Sequence, residues 1–259
     1  MVSEKLNLYV EDFYDKEVRD KSKKEEKKDL IAFIRDAVEL AYNDTKRVCK
    51  GIGDFTGTRD TVKEGIVEGI RNYLNDNDCK KDFDSIHREL CMKWTKAFEE
   101  VESLADYGKA QKIVNMSFKY LYAYAIKINS TKFFGKFEKC HFTLDSYTLQ
   151  WLRACKKEEK TAEKIPACLN TGKTWSSLDP QEYKCINDYA RKCIEKNFDG
   201  YTPLQAEFII WQGVSLYNAL DELEKRASAF PDKDIPGDIH KKLDGIKHGN
   251  LLSFIESLK

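Results

Sequence analysis

The sequence predicts an all-α fold: a compact multi-helix domain, with a possible division into two helical lobes and a cleft between them. Three observations carry that expectation. Apolar residues recur at spacings of three and four along most of the chain, alternating strand patterns never last more than a few residues, and the 259 residues include five prolines. With 41% hydrophobic and 34% charged residues, the composition is globular and can supply a substantial core. The expected organisation is a single domain over 1–259, with possible lobes 28–156 and 179–259 joined by a charged segment, 156–178.

The opening MVSEKLNLYVEDFYDKE carries charges every few residues, and no later window approaches the roughly 20 apolar residues that span a bilayer. A soluble, cytoplasmic protein with no membrane partner is expected. DKSKKEEKK reads as a solvated charge run. It precedes the first clear helix, KKDLIAFIRDAVELAYND, where Leu30, Ile31, Ile34, Ala37, Val38 and Ala41 share a face. GIGDFTGT, residues 51–58, reads as a glycine-punctuated connection. Such a loop can cradle phosphate through backbone N–H groups, but this one lacks the Gly-Lys-Ser/Thr ending of a nucleotide P-loop. Thr61, three residues before Glu64, gives a capping-box start for VKEGIVEGIRNYL.

A helix over about 82–104 follows, striped by Phe83, Ile86, Leu90, Trp94 and Phe98. The helix over 107–128 is apolar on almost every side, which places it at the centre of the domain. After a break, LDSYTLQWL begins another helix at or just after Asp145. The charged, irregular KKEEKTAEKIPACLNTGKTWSSLDP ends in Asp179-Pro180, a helix start for 180–197. Thr202, Pro203 and Gln205 then occupy the cap, first-turn and capping-box positions of a further helix. The tail holds two prolines and a short amphipathic stretch that can dock as a last helix.

Lysine plus arginine and aspartate plus glutamate number 44 each, so no overall basic field recruits a polyanion, and a nucleic-acid partner must use a local patch. The eight cysteines are too sparse for a disulfide-stapled mini-protein and show no Cys-x-x-Cys spacing. They read as reduced core thiols. No metal and no cofactor is expected.

The chemistry-bearing residues concentrate on the central helix. Gly108, Lys112, Asn115, Lys119 and Tyr122 follow a four, three, four, three spacing that aligns them on one stripe. A central helix turns that stripe to a polar cavity; a peripheral one turns it to water. Asp145 accepts helix N-terminal amides as an N-cap or serves as a chemical carboxylate, with His141 as its neighbour. Glu207, on the apolar side of AEFIIW, needs a partner such as Lys112, Lys119 or an arginine, and a structural ion pair is the expected account.

The words YGKAQKIVN and LDSYTL resemble the core of the helix–hairpin–helix DNA glycosylases, where a Gly-x-Gly-x-Lys-x-x-Asn hairpin precedes a Val-Asp-Thr/Ser-His/Tyr segment. The resemblance covers under fifty residues. Ala110 replaces the second glycine, INSTKFFGKFEKCHF lengthens the lysine-to-aspartate interval, and the cysteine cluster of the iron–sulfur subgroup is absent. PLQAEFIIW and CHFTLDS are also similar to segments of an uncharacterised bacterial helical family, which implies no activity. The glycosylase resemblance implies a hairpin at Gly108 that binds the DNA backbone, a nucleophilic Lys112 and a catalytic Asp145. Gly108, Lys109, Asn115, Lys119, His141 and Tyr147 are the implied DNA- or substrate-contacting residues. A flipped base would be sandwiched by aromatics such as Tyr122, Tyr124, Tyr147 and Trp151. The alternative, favoured by the neutral charge, is a non-catalytic helical scaffold or interaction module.

Overall fold

The computed structural model describes residues 4–19, 29–76, 82–101, 103–130, 132–158, 166–170, 173–229 and 251–258. Among them there are helices and turns and no strand, so the chain is all-α. The helices are α1 (Glu4–Phe13, running into a π-helical turn, Tyr14–Arg19), α2 (Leu30–Thr45), α3 (Thr56–Asn75), α4 (Phe83–Ala97) and α5 (Tyr107–Lys127). They continue with α6 (Phe134–Phe137), α7 (Ser146–Glu158), α8 (Pro180–Asn197), α9 (Pro203–Ala229) and α10 (Leu251–Leu258). None is long and apolar enough to cross a membrane. The charge run 20–28, much of the 156–178 segment and the tail before α10 lie outside the described residues.

Side-chain caps set several helix starts. Asp29 accepts the Ala32 amide at 2.9 Å and Asp82 the Ser85 amide at 2.8 Å. Asp179, with Glu182 reaching back, closes a capping box around Pro180. Thr202 and Gln205 exchange a second such pair at the start of α9, at 2.9 and 3.3 Å. Two expected boundaries move. Thr61 lies inside α3, which begins at Thr56, because its hydroxyl bonds back to the Gly57 carbonyl instead of capping. The fourth helix ends at Ala97 and not near 104: the Val101 amide turns back to the Phe98 carbonyl, the Leu104 amide to that of Val101, and the Trp94 indole N–H holds the Leu104 carbonyl at 2.9 Å.

Every residue of α5 from Tyr107 to Ala125 is buried. The helix packs most extensively on α2 and α4, and also meets α1, α8 and the 3₁₀ turn Trp175–Ser177. A polar residue on such a helix has no water to face, so each needs a partner from a neighbouring element. Of the described cysteines five are buried, and Cys168 and Cys185 are partly exposed.

Candidate functional site

The site depends on residues 140–145, an irregular stretch that crosses the buried interior between α6 and α7. Without a sheet partner, its backbone groups must be satisfied by side chains. Asn115 and Asn187 donate to the Phe142 carbonyl at 3.5 and 3.0 Å. The Thr143 amide donates to Glu207 Oε2 at 2.8 Å. Gln111 reads both sides of Leu144, accepting from its amide at 3.2 Å and donating to its carbonyl at 2.8 Å. This clamp delivers Asp145 to one position.

Asp145 uses its two carboxylate oxygens differently. Oδ1 accepts the Tyr147 and Thr148 amides at 3.0 and 3.1 Å, which is the N-cap of α7. Oδ2 accepts from Lys112 Nζ at 3.3 Å and from the Trp211 indole N–H at 3.2 Å. The cap and the pocket therefore coexist on one side chain. Burial pushes the carboxyl up, but the Lys112 ammonium, the Thr148 amide and the Lys119 charge outweigh it, and the net shift is downward from 3.8. Asp145 is held as an anion.

Lys112 and Asp145, 33 residues apart in sequence, share a cavity of about 380 Å³, within the range of roughly 300–1,000 Å³ of small-ligand sites. Lys112, Met116, Lys119 and Tyr120 line it from α5, and Asp145 and Tyr147 from the start of α7. Trp211 lies 5.3 Å from the Tyr147 ring and contributes a further wall. Trp175, from the 3₁₀ turn, places its ring 4.6 Å from Lys112 Nζ. Glu17, Asp44 and the exposed Arg47 also line the cavity.

Lys119 lines the same cavity, but its ammonium is bound to Glu207 at 2.9 Å, both side chains 1% exposed. Phe208 and Phe13 rings lie 4.9 and 5.0 Å from it. Burial raises the Glu207 carboxyl above 4.5, opposed by Lys119 and the Thr143 amide. Glu207 is thus the structural ion-pair residue expected, and Thr143 is the unforeseen second partner.

Four other expected contact residues lie elsewhere or are already engaged. Gly108 is no exposed hairpin: it is the second residue of α5, its amide donates to the Leu178 carbonyl at 3.0 Å, and a Cβ there would sit 2.0 Å from the Trp175 carbonyl oxygen. Glycine is required so that the Trp175 turn can lie on α5, which sets that ring over Lys112. The Lys109 ammonium is tied to the Ser103 carbonyl at 2.6 Å and to Asp106, a pin on the loop before α5. Asn115 is drawn into the clamp and bonds Gln111 and the Tyr183 hydroxyl at 3.1 and 3.0 Å. His141 bonds Tyr183 at 2.8 Å and Asp84 at 2.5 Å, and its ring lies 4.4 Å from that of His87. Burial pushes both histidines below 6.5.

Of the expected aromatics, Tyr147 lines the cavity; Tyr122 lines a different one, and Trp151 is core. Trp211, Trp175 and Gln111 complete the site and carry no local motif; only their place around a helix buried on all sides marks them. Comparisons of the chain with family models, curated proteins and solved structures find no match.

Proposed function

We propose that the protein acts on DNA as a glycosylase-like enzyme, drawing a flipped or modified base into the cavity of Lys112 and Asp145. One observation carries this reading: a buried ammonium and a buried carboxylate from separate segments meet at 3.3 Å inside a cavity with aromatic walls. As the glycosidic bond breaks, its electron pair leaves on the base, and the Asp145 anion stabilises the positive charge growing at C1′. The Lys112 amine forms the new bond to C1′, its proton relayed through Asp145 Oδ2 to the departing base, which leaves protonated while Asp145 stays an anion. The Tyr147 and Trp211 rings offer stacking surfaces to an extruded base, and Arg47 on the cavity lining offers a contact for phosphate.

The test is borohydride trapping on duplexes carrying modified bases or abasic sites, together with binding measured across salt concentrations. The wild-type chain should give a covalent adduct and Lys112→Ala none. Asp145→Asn should fold but lose at least about 100-fold in base release, the lower range for removing an acid–base group. The second reading, a non-catalytic helical scaffold, draws on the work of Asp145 Oδ1 as the cap of α7. It gains if DNA binding has no salt dependence and no substrate is cut.

A further inference from the structure

A second cavity, of about 770 Å³, opens toward the carboxyl end of α5, between α1, α6 and the start of α9. It is larger than the one holding Lys112 and its chemistry differs. One wall is three aromatic rings: Tyr122, with Phe134 at 5.7 Å and Phe137 at 5.5 Å. The Tyr122 hydroxyl accepts from Gln205 at 3.1 Å, which fixes that wall to α9. Tyr201 adds a fourth ring to the lining. Among the described residues the charged groups on it are two exposed carboxylates, Glu11 and Glu138, with no lysine, arginine or histidine. Cations and anions are equal in number over the whole chain, so this cavity has a local anionic excess.

The backbone around it is unusual. Asn129 at φ 52° and Gly200 at φ 78° both line the cavity, and Asn129 is the one non-glycine residue with positive φ among those described. Left-handed backbone at both places turns the chain sharply after α5 and before α9.

We propose that this cavity binds a substituted ammonium ion, an organic cation whose charge is spread over alkyl groups. The partly exposed rings of Phe134 and Tyr201, backed by the buried Tyr122 and Phe137, carry negative quadrupole density that attracts such a cation, and the alkyl groups fill an apolar wall that a hydrated metal ion does not. Two carboxylates repel an anion and add nothing for a neutral ligand. A metal is disfavoured by geometry as well: no group of three or more His, Cys, Asp or Glu among the described residues is arranged to hold one. The inference is independent of the DNA reading, since it shares no residue with the Lys112 cavity.

The test is an NMR titration of the full chain with tetramethylammonium chloride, beside tert-butanol as the neutral molecule of similar size and sodium chloride as the ionic control. Saturable shifts at Tyr122, Phe134 and Tyr201 are expected with tetramethylammonium alone. The exposed double variant Glu11→Gln/Glu138→Gln should bind about tenfold more weakly, the scale of one well-placed charge or cation–π contact, while Lys112→Ala binds as wild type. The proposal is overturned if tert-butanol binds equally well, if the double variant keeps full affinity, or if the shifts never exceed those of sodium chloride.

Discussion

α5 turns Lys112 and Lys119 toward the cavity of Asp145, and turns Asn115 toward a buried cluster of His87, His141 and Tyr183. The two regions solve the burial of polar atoms in opposite ways. The cavity keeps formal charges, pairing Lys112 with Asp145 and Lys119 with Glu207. The cluster inside the core favours neutral rings: burial depresses both imidazoles and raises the Tyr183 phenol. Neutral groups sharing hydrogen bonds serve to hold backbone in place; a charge pair retained beside an open cavity is the costlier arrangement. The clamp on residues 140–145 links the two, since Asn115 belongs to the histidine cluster and Gln111, its partner, holds Leu144 next to Asp145.

The comparison breaks most sharply at Glu207. Glu207→Gln leaves the Lys119 ammonium buried without its counter-charge, and destabilisation of about 3–5 kcal/mol is expected, read as a fall in urea midpoint at unchanged slope. A loss near zero would mean that the pair is not a structural element and that Lys119 belongs with the reactive groups.

Acid separates the two regions next. His87 and His141 have folded pKa values below 6.5, so the unfolded chain takes up protons first. The stability they contribute is complete above about 6.5 and is lost as pH falls through the folded values. Asp145, also depressed, contributes stability that is present above 3.8 and lost only below it. Urea midpoints measured downward from pH 8 should therefore decline first in the histidine range, and His141→Gln should flatten that decline. An unchanged slope in the variant would remove His141 as its source.

Trp211→Phe is the smallest and sharpest change. It keeps the ring that meets Tyr147 and removes the N–H donor to Asp145 Oδ2. A stability cost of about 1 kcal/mol is expected, with the Asp145 carboxyl titrating higher by NMR. If Asp145 titrates as before, Trp211 is only a wall. Gly108→Ala probes the support of Lys112 from the other side: the Cβ meets the Trp175 carbonyl, so the turn must lift and the ring over Lys112 must move. Lower thermal stability with altered Trp fluorescence is expected.

Much of the fold was legible because its signals are local. The stripe Phe83, Ile86, Leu90, Trp94 and Phe98 is buried as a stripe, and the caps at Asp179 and Thr202 read directly from side-chain chemistry within one turn. The start of α3 was less legible, because Thr61 satisfies the capping pattern while bonding back to Gly57. Lys112 and Asp145 could be named from their words, whereas Trp211 and Trp175 could not, since nothing in AEFIIW marks a ring as lining a cavity and nothing in KTWSS marks one as lying over Lys112.

By itself the sequence determined that the chain is helical, that the 107–128 helix is central, and that its polar residues need partners. Periodicity and hydropathy act over a few residues and state such requirements fully. Which partner each residue took was decided in three dimensions. Gly108, Lys112, Asn115, Lys119 and Tyr122 share one stripe in the sequence, yet they are divided among a backbone crossing, the cavity of Asp145, a histidine cluster, a buried ion pair and a second cavity. A helix buried on every side meets a different neighbour at each turn, and the neighbour's chemistry, not the stripe, assigns the role.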